Sequence, residues 1–308
     1  MREGVAVTAL GCGADGGFAL ETSDGPLRAA TVVVATGAYQ RPHRPAAAAM
    51  LPAGLQQLDV DDYRDPGDLA PGAVLVVGSG QSGCQVAEEL HGAGRDVYLA
   101  CGRAPWAPRR IGNRDLLWWL LETGFLDGAL PDPSARLFAN VLASGHGGGR
   151  DLHLRTLQRR GVALLGRFLG ADGDVAHFAR DLGGTVAWGD NAQLMGMVRR
   201  LVAERGLPAP AIAGPEPIRD DAPARIDLRR LGAVVFGTGF RPDYMSWVDC
   251  PGAFDELGFP VHDDGASTAV RGLYFVGVHF LRKRKSSLLV GVGEDAAIVA
   301  GSIAATSR

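Results

Sequence analysis

The sequence predicts an α/β chain with parallel sheet, on three observations. Residues 74–77 (VLVV) are a short apolar, β-branched run, as suits an inner strand covered on both faces. Gly78, Gly80 and Gly83 follow at G-x-G-x-x-G spacing, and Cys84, Ala87 and Leu90 then mark the apolar face of a helix. Further apolar runs at 30–34, 231–236 and 273–276 each end close to a glycine, which lets backbone pass near a ligand.

The stretch at 73–91 organises the rest. Its first glycine allows a tight turn, the second lets a pyrophosphate reach the backbone, and the third lets helix and strand pack closely. Ser79, Gln81 and Ser82 complete the turn. The free N–H groups and positive end of the helix favour phosphate. Glycine spacing alone is weak; a strand before it and a helix after it make it specific. The competing reading is a structural βαβ turn that binds nothing. Residues 96–101 read as the next strand. An acidic residue at its end would suit NAD, but the chain reads Cys101-Gly102-Arg103, with Arg109 and Arg110 soon after. Arginine suits a 2′-phosphate, so NADPH is expected, with a solvated loop charge as the alternative.

With 308 residues, 46% hydrophobic and 21% charged, the chain can bury the cores of two domains. A net charge of −3 gives no electrostatic case for nucleic acid. No apolar run approaches ~20 residues, so no membrane span is expected. MREGVAVTAL carries no secretory signal, which points to the cytoplasm. Cys12, Cys84, Cys101 and Cys250 are far apart and form no C-x-x-C. Neither a redox dithiol nor a zinc knuckle is supported. The seven histidines show no metal-ligand spacing, so no metal is expected.

In chain order, residues 4–10 and 17–22 read as strands of a meander. Gly11, Gly13 and Gly16 repeat the glycine spacing but precede a strand, so a hairpin is expected there. Residues 30–34 predict a buried strand ending in Ala35-Thr36-Gly37. Prolines then mark 40–72 as a long crossover without regular elements. Residues 115–123 predict a helix with Gly124 as C-cap; Trp118 and Trp119 line a pocket or, the favoured reading, fill core. Residues 144–150 read as a flexible loop, and 162–165 and 175–178 as strands. In 191–205, Leu194, Met197, Val198, Leu201 and Val202 give helical periodicity, and prolines from 208 to 223 form a second crossover. The last helix follows Gly291 and Gly293, with Glu294 and Asp295 in its first turn, where acids suit the dipole. Its N-terminus is a second candidate for a polarised ligand group.

VVVATG, VLVVGSGQSG, VVFGTGF and GLYFVG, in that order before a terminal helix, resemble the two-dinucleotide-domain flavoproteins. Within these the chain is most similar to the bacterial flavin-containing monooxygenase-like FAD/NAD(P)-dependent oxidoreductases. The resemblance implies a Rossmann-like NAD(P)-binding domain, 72–206, inserted into an FAD-binding domain made of 1–41 and 225–308, with crossovers at 42–71 and 207–224. It places Ala35, Thr36 and Gly37 beside the flavin, Thr238 and Gly239 at the domain junction, Gly277 near the FAD, and the helix from Gly293 and Glu294 pointing at the isoalloxazine ring. Three departures stand out. No strand–glycine turn–helix precedes Ala35, so the FAD-binding domain is expected to be incomplete, N-terminally truncated and weak in holding FAD. Asp59, where relatives often carry His ahead of Tyr63, counts against Baeyer–Villiger chemistry. The missing C-x-x-C counts against the disulfide-reductase cousins.

The function expected is hydride transfer from NADPH to FAD, followed by O2-dependent oxidation of a small organic substrate. The alternatives are a non-catalytic NADP-binding fragment and an NADPH oxidase or reductase without oxygen insertion. No catalytic side chain is identified, because the cofactor carries the chemistry. His279 faces the flavin or is an ordinary loop histidine, and Arg282-Lys283-Arg284-Lys285 attracts cofactor phosphates or is simply solvated. Unpaired sheet edges make a homo-oligomer possible.

Overall fold

The computed structural model describes residues 2–13, 16–103, 107–137, 148–184, 192–212 and 217–306. The chain divides into two compact units. Unit 1 comprises Met1–Arg41, Leu126–Leu137 and Phe240–Arg308; unit 2 comprises Pro42–Phe125 and Phe138–Gly239.

Unit 1 opens with β1 (Val7–Cys12), β2 (Phe18–Thr22) and β3 (Leu27–Ala29), an antiparallel meander. The glycines at 11, 13 and 16 serve the β1–β2 hairpin as expected: Gly13 N–H donates to Gly17 O at 2.8 Å. Then comes β4 (Val32–Val34).

Unit 2 holds β5 (Gln56–Asp59), β6 (Ala73–Val77), α1 (Gln81–Gly92), β7 (Val97–Ala100), α2 (Leu116–Glu122), α3 (Leu154–Arg160), β8 (Ala163–Leu165), α4 (Ala192–Glu204) and β9 (Leu231–Phe236). The five strands form one parallel sheet in the order β8-β7-β6-β9-β5. Period-two alternation sorts β6 between two cores. Val74 and Val76 pack with Cys84, Ala87 and Leu90 of α1 and Leu157 of α3. Leu75 and Val77 pack on the other face with Phe168, Ala176, Phe178 and Ile226, which come from a small antiparallel sheet. Asp115 caps α2, accepting Leu117 N–H at 2.9 Å. Trp119 is core, whereas Trp118 is half-buried with the Arg114 guanidinium 4.0 Å above its ring. The predicted loop at 144–150 lies outside the described residues except for 148–150.

Unit 1 resumes with β10 (Val248–Asp249), which pairs in parallel with β1, and β11 (Leu273–Phe275), which pairs in parallel with β4. The chain ends in α5 (Val292–Thr306), which packs Val292, Val299 and Ile303 against Tyr274 and Val276.

Several expectations need correction. The crossover at 42–71 is not free of regular structure: it supplies β5, an edge strand whose polar, half-buried residues hid it from an apolar search. Residues 225–239 belong to unit 2, because β9 is buried along its whole length between β6 and β5. Residues 126–137 leave the expected nucleotide domain for unit 1. The predicted buried strand at 30–34 is only Val32–Val34, paired with β11 at the edge of its sheet, with Val33 exposed. Finally, Cys12 and Cys250 form a disulfide, which their separation of 238 residues concealed. The parallel register of β1 and β10, Leu10 opposite Val248 and Gly11 opposite Asp249, carries the two cysteines to the same level.

Candidate functional site

The turn between β6 and α1 is fixed by close backbone packing. Gly78 has φ +106°, and a Cβ there would strike Gly237 O. A Cβ on Gly83 would strike Gly78 O, and one on Gly237 would lie 3.0 Å from Gly83 Cα. Three glycines therefore interlock where β6, α1 and the end of β9 meet. Gly80 is different. It is the N-cap of α1, has an ordinary negative φ, and has open space where a Cβ would stand. No side chain caps α1, and the first turn of an α-helix carries amides without intrahelical partners. A phosphate group fits such a cradle. The site lies at the carboxyl ends of the parallel strands, where ligands of open α/β sheets bind. A 760 Å³ cleft at the amino ends, lined by Leu69, Gly72, Arg95 and Arg230 among others, lacks these features. Its Arg95 is already engaged, donating to Gly72 O at 2.9 and 3.1 Å.

Ser79 ties the turn to β7: its hydroxyl donates to Gly102 O and accepts Gly102 N–H, both at 3.1 Å. Arg103 is the next residue and is exposed. Arg109 is paired with Asp115 at 2.9 Å, and Arg110 is exposed. Beneath the turn, Cys84 and Cys101 are buried thiols, and burial pushes Cys101 up to about 12. Both are poor nucleophiles there. Thr238 donates to His43 O, and His43 N–H donates to Gly239 O at 2.9 Å. Both residues lie in unit 2, whose boundary with unit 1 falls after Gly239. Asp59, at the end of β5, is held by Arg44 at 2.7 and 3.0 Å.

In unit 1 a second glycine pair marks the ends of β4 and β11. Gly37 and Gly277 have φ +81° and +80°, and a Cβ on Gly277 would lie 3.7 Å from Gly37 Cα. Ala35 and Thr36 are exposed beside them. Two residues without any sequence motif hold this turn. Gln40 donates to Thr36 Oγ1 at 3.1 Å and to Gly37 O at 2.9 Å, and Tyr244 donates to Gly37 O at 3.1 Å. Gln40 also accepts Asp243 N–H at 2.6 Å, so it joins chain segments some 200 positions apart. No local signal could have found that link.

The first turn of α5 follows. Gly293 is open, with nothing near a Cβ position. Glu294, predicted as a cofactor-site acid, commits its carboxylate to Lys283, at 3.1 Å, and Lys285. Both lysines also reach Asp127, at 2.9 and 3.0 Å. These lysines lower the carboxyl pKa of Asp127. Arg282 bridges Asp264, at 2.8 Å, and Asp295, at 3.3 Å. Three members of the basic run, Arg282, Lys283 and Lys285, are thus engaged in ion pairs. They form a partly exposed ion-pair network at the start of α5. His279 Nδ1 is 2.8 Å from Ser287 Oγ, and burial lowers its pKa. Among the described residues no His, Cys, Asp and Glu cluster could hold a metal, and no helix is long and apolar enough to cross a membrane.

Comparison with known proteins agrees with this arrangement. The pyridine nucleotide-disulphide oxidoreductase family matches residues 2–118. The chain is 31% identical over 280 residues to an uncharacterized oxidoreductase CzcO-like of Geobacillus kaustophilus, covering 91% of this chain and 66% of that protein. It is 29% identical, with the same coverage, to the CzcO oxidoreductase of Bacillus subtilis. The chain thus spans 66% of the length of these curated relatives. In fold it is similar to a flavin-containing monooxygenase from Stenotrophomonas maltophilia, with a TM-score of 0.65 at 16% identity, over 100% of this chain and 72% of that one. A bacillithiol disulfide reductase from Staphylococcus aureus shares the fold at a TM-score of 0.52 and 12% identity, again over 100% of this chain and 72% of that one. The interlocked glycine turn, the order of the motifs and these relatives agree: the chain is similar in sequence to the CzcO-like oxidoreductases and has the two-dinucleotide-domain flavoprotein fold that it shares with a flavin-containing monooxygenase.

Proposed function

We propose that this protein is an NADPH- and FAD-dependent oxidoreductase of monooxygenase type, acting on a small organic substrate. One observation carries the reading: Gly80 is left open by the fold while Gly78 and Gly83 are locked by it. A purely structural turn needs only the locked pair. The open position, backed by uncapped amides of α1, is what a pyrophosphate requires. In this reading the backbone from Ser79 through Gly83 holds the NADPH pyrophosphate, and Arg103 pairs with its 2′-phosphate. Thr238 and Gly239 border the same turn. Ala35, Thr36, Gly37 and Gly277 give the flavin a surface with little side chain in its way, and Gly293 leaves the N-terminus of α5 accessible to it. The bound flavin supplies hydride acceptance and reaction with O2. The protein's share is to bind, orient and exclude water. We place this chemistry in the cytoplasm.

A second reading has its own support. Among the described residues, only the turn at 78–83 joins a strand, a glycine cradle and a helix. That suits a protein that binds NADPH and leaves flavin aside.

Titration decides between them. Gly80→Leu should fold normally and lose NADPH binding by 100-fold or more, by the order of a lost phosphate site (~3 kcal/mol). Arg103→Ala should weaken NADPH roughly 10-fold and leave NADH unchanged. A flavin absorbance spectrum with NADPH-driven O2 uptake supports the oxidoreductase. A colourless protein that binds NADPH and takes up no flavin supports the second reading. If Gly80→Leu leaves NADPH affinity untouched, both readings fall.

A further inference from the structure

Two glycine turns in unit 1 share a spacing. Two residues after Gly37 stands Tyr39, and two residues after Gly277 stands His279. The two rings meet edge to face, with centroids 5.1 Å apart and planes at 85°. Phe240 completes the group, 5.4 Å from Tyr39 at 75°. His279 is pinned in turn by the Ser287 hydroxyl. Yet Tyr39 keeps 59% of its surface exposed.

A single exposed tyrosine needs no explanation. This one differs because it is fixed before any ligand arrives. Two perpendicular rings hold it, one of them locked by a hydrogen bond, so little rotamer freedom remains to be lost on binding. The space beside it is also clear: nothing stands within 4 Å of the Cβ position of Gly37. The cluster is aromatic, and burial keeps His279 toward its neutral form. It suits a flat, electron-poor ring better than a phosphate or an aliphatic chain, because aromatic faces attract such rings through their quadrupoles.

We propose that Tyr39, supported by His279 and Phe240, is a binding platform for a planar heteroaromatic ring, the isoalloxazine of the flavin. This rests on the flavin reading given above and adds Tyr39 to it, a residue outside the quoted motifs. FAD titration followed by flavin fluorescence tests it on the wild type, Tyr39→Ala, Tyr39→Phe and His279→Gln. Because Tyr39 is exposed, its substitution should leave the melting curve in place. Tyr39→Ala should weaken FAD roughly 3- to 10-fold, the size of one aromatic contact, and should recover part of the quenched fluorescence. Tyr39→Phe should hold affinity within about twofold, since it keeps the ring. His279→Gln should fall between them. If Tyr39→Ala binds and quenches like the wild type while the wild type binds FAD, the platform is wrong and the flavin reading stands. If the wild type binds no FAD at all, the flavin reading fails and the platform goes with it.

Discussion

In unit 2, five parallel strands share one sheet, and β6 and β9 are buried almost end to end between two apolar cores. In unit 1, two four-stranded sheets are assembled from chain segments far apart in sequence, with strands as short as two residues. Unit 1 compensates with cross-links. The Cys12–Cys250 disulfide, the Gln40 bridge and the ion pairs of Lys283 and Lys285 each join distant segments. Unit 2 therefore rests chiefly on burial against both faces of one sheet, while unit 1 adds a few specific long-range bonds to its own apolar core around Leu10, Phe18, Tyr244 and Phe275. Burial tolerates small losses at many positions, while specific bonds fail one at a time.

The largest effect that bears on this contrast is expected at Gly83. Gly83→Val puts side chain into Gly78 O and should cost more than about 4 kcal/mol, leaving no cooperative transition for unit 2 in urea. The same test at Gly37, where space is open and only the positive φ is strained, should cost about 1–2 kcal/mol. Next is the disulfide. Cys250→Ser should destabilise unit 1 by about 3–5 kcal/mol and split thermal melting into two steps, unit 1 first. A single unshifted transition would remove the distinction between the units. Third is His153, buried at the N-cap of α3 with its pKa pushed down to about 3, chiefly by burial. Between pH 6.5 and 3 the unfolded chain binds a proton there that the folded chain does not. Unit 2 should thus lose about 1.4 kcal/mol per pH unit as pH falls through that window, and His153→Asn should flatten the slope. Urea midpoints at pH 7, 6 and 5 measure it. The smallest effect belongs to the exposed carboxylate of the network: Glu294→Gln should barely move the melting temperature, and less still in high salt.

What was legible in the sequence was local. The strand–turn–helix at 73–91 announces itself within twenty residues, because the apolar run, the glycine spacing and the helical face all fall on one continuous stretch. The helical stripe of Leu194, Val198, Leu201 and Val202 is legible for the same reason. What escaped was set by tertiary partners. Gln56–Asp59 looks like loop until β9 pairs with it. The carboxylate of Glu294 looks free until Lys283 and Lys285 arrive with Asp127, which sits more than 150 positions away. The domain limit near 225 failed because an apolar strand does not say which sheet it joins. At the candidate site, the glycines were visible, and the residues that brace them, Gln40 and Tyr244, were not.

The bond between Cys12 and Cys250 also sets how the protein answers a protease. A cut anywhere in the 237 residues between those sulfurs severs the backbone yet leaves both pieces joined. A nicked sample should therefore migrate as one species on a denaturing gel and part into fragments only when a thiol is added.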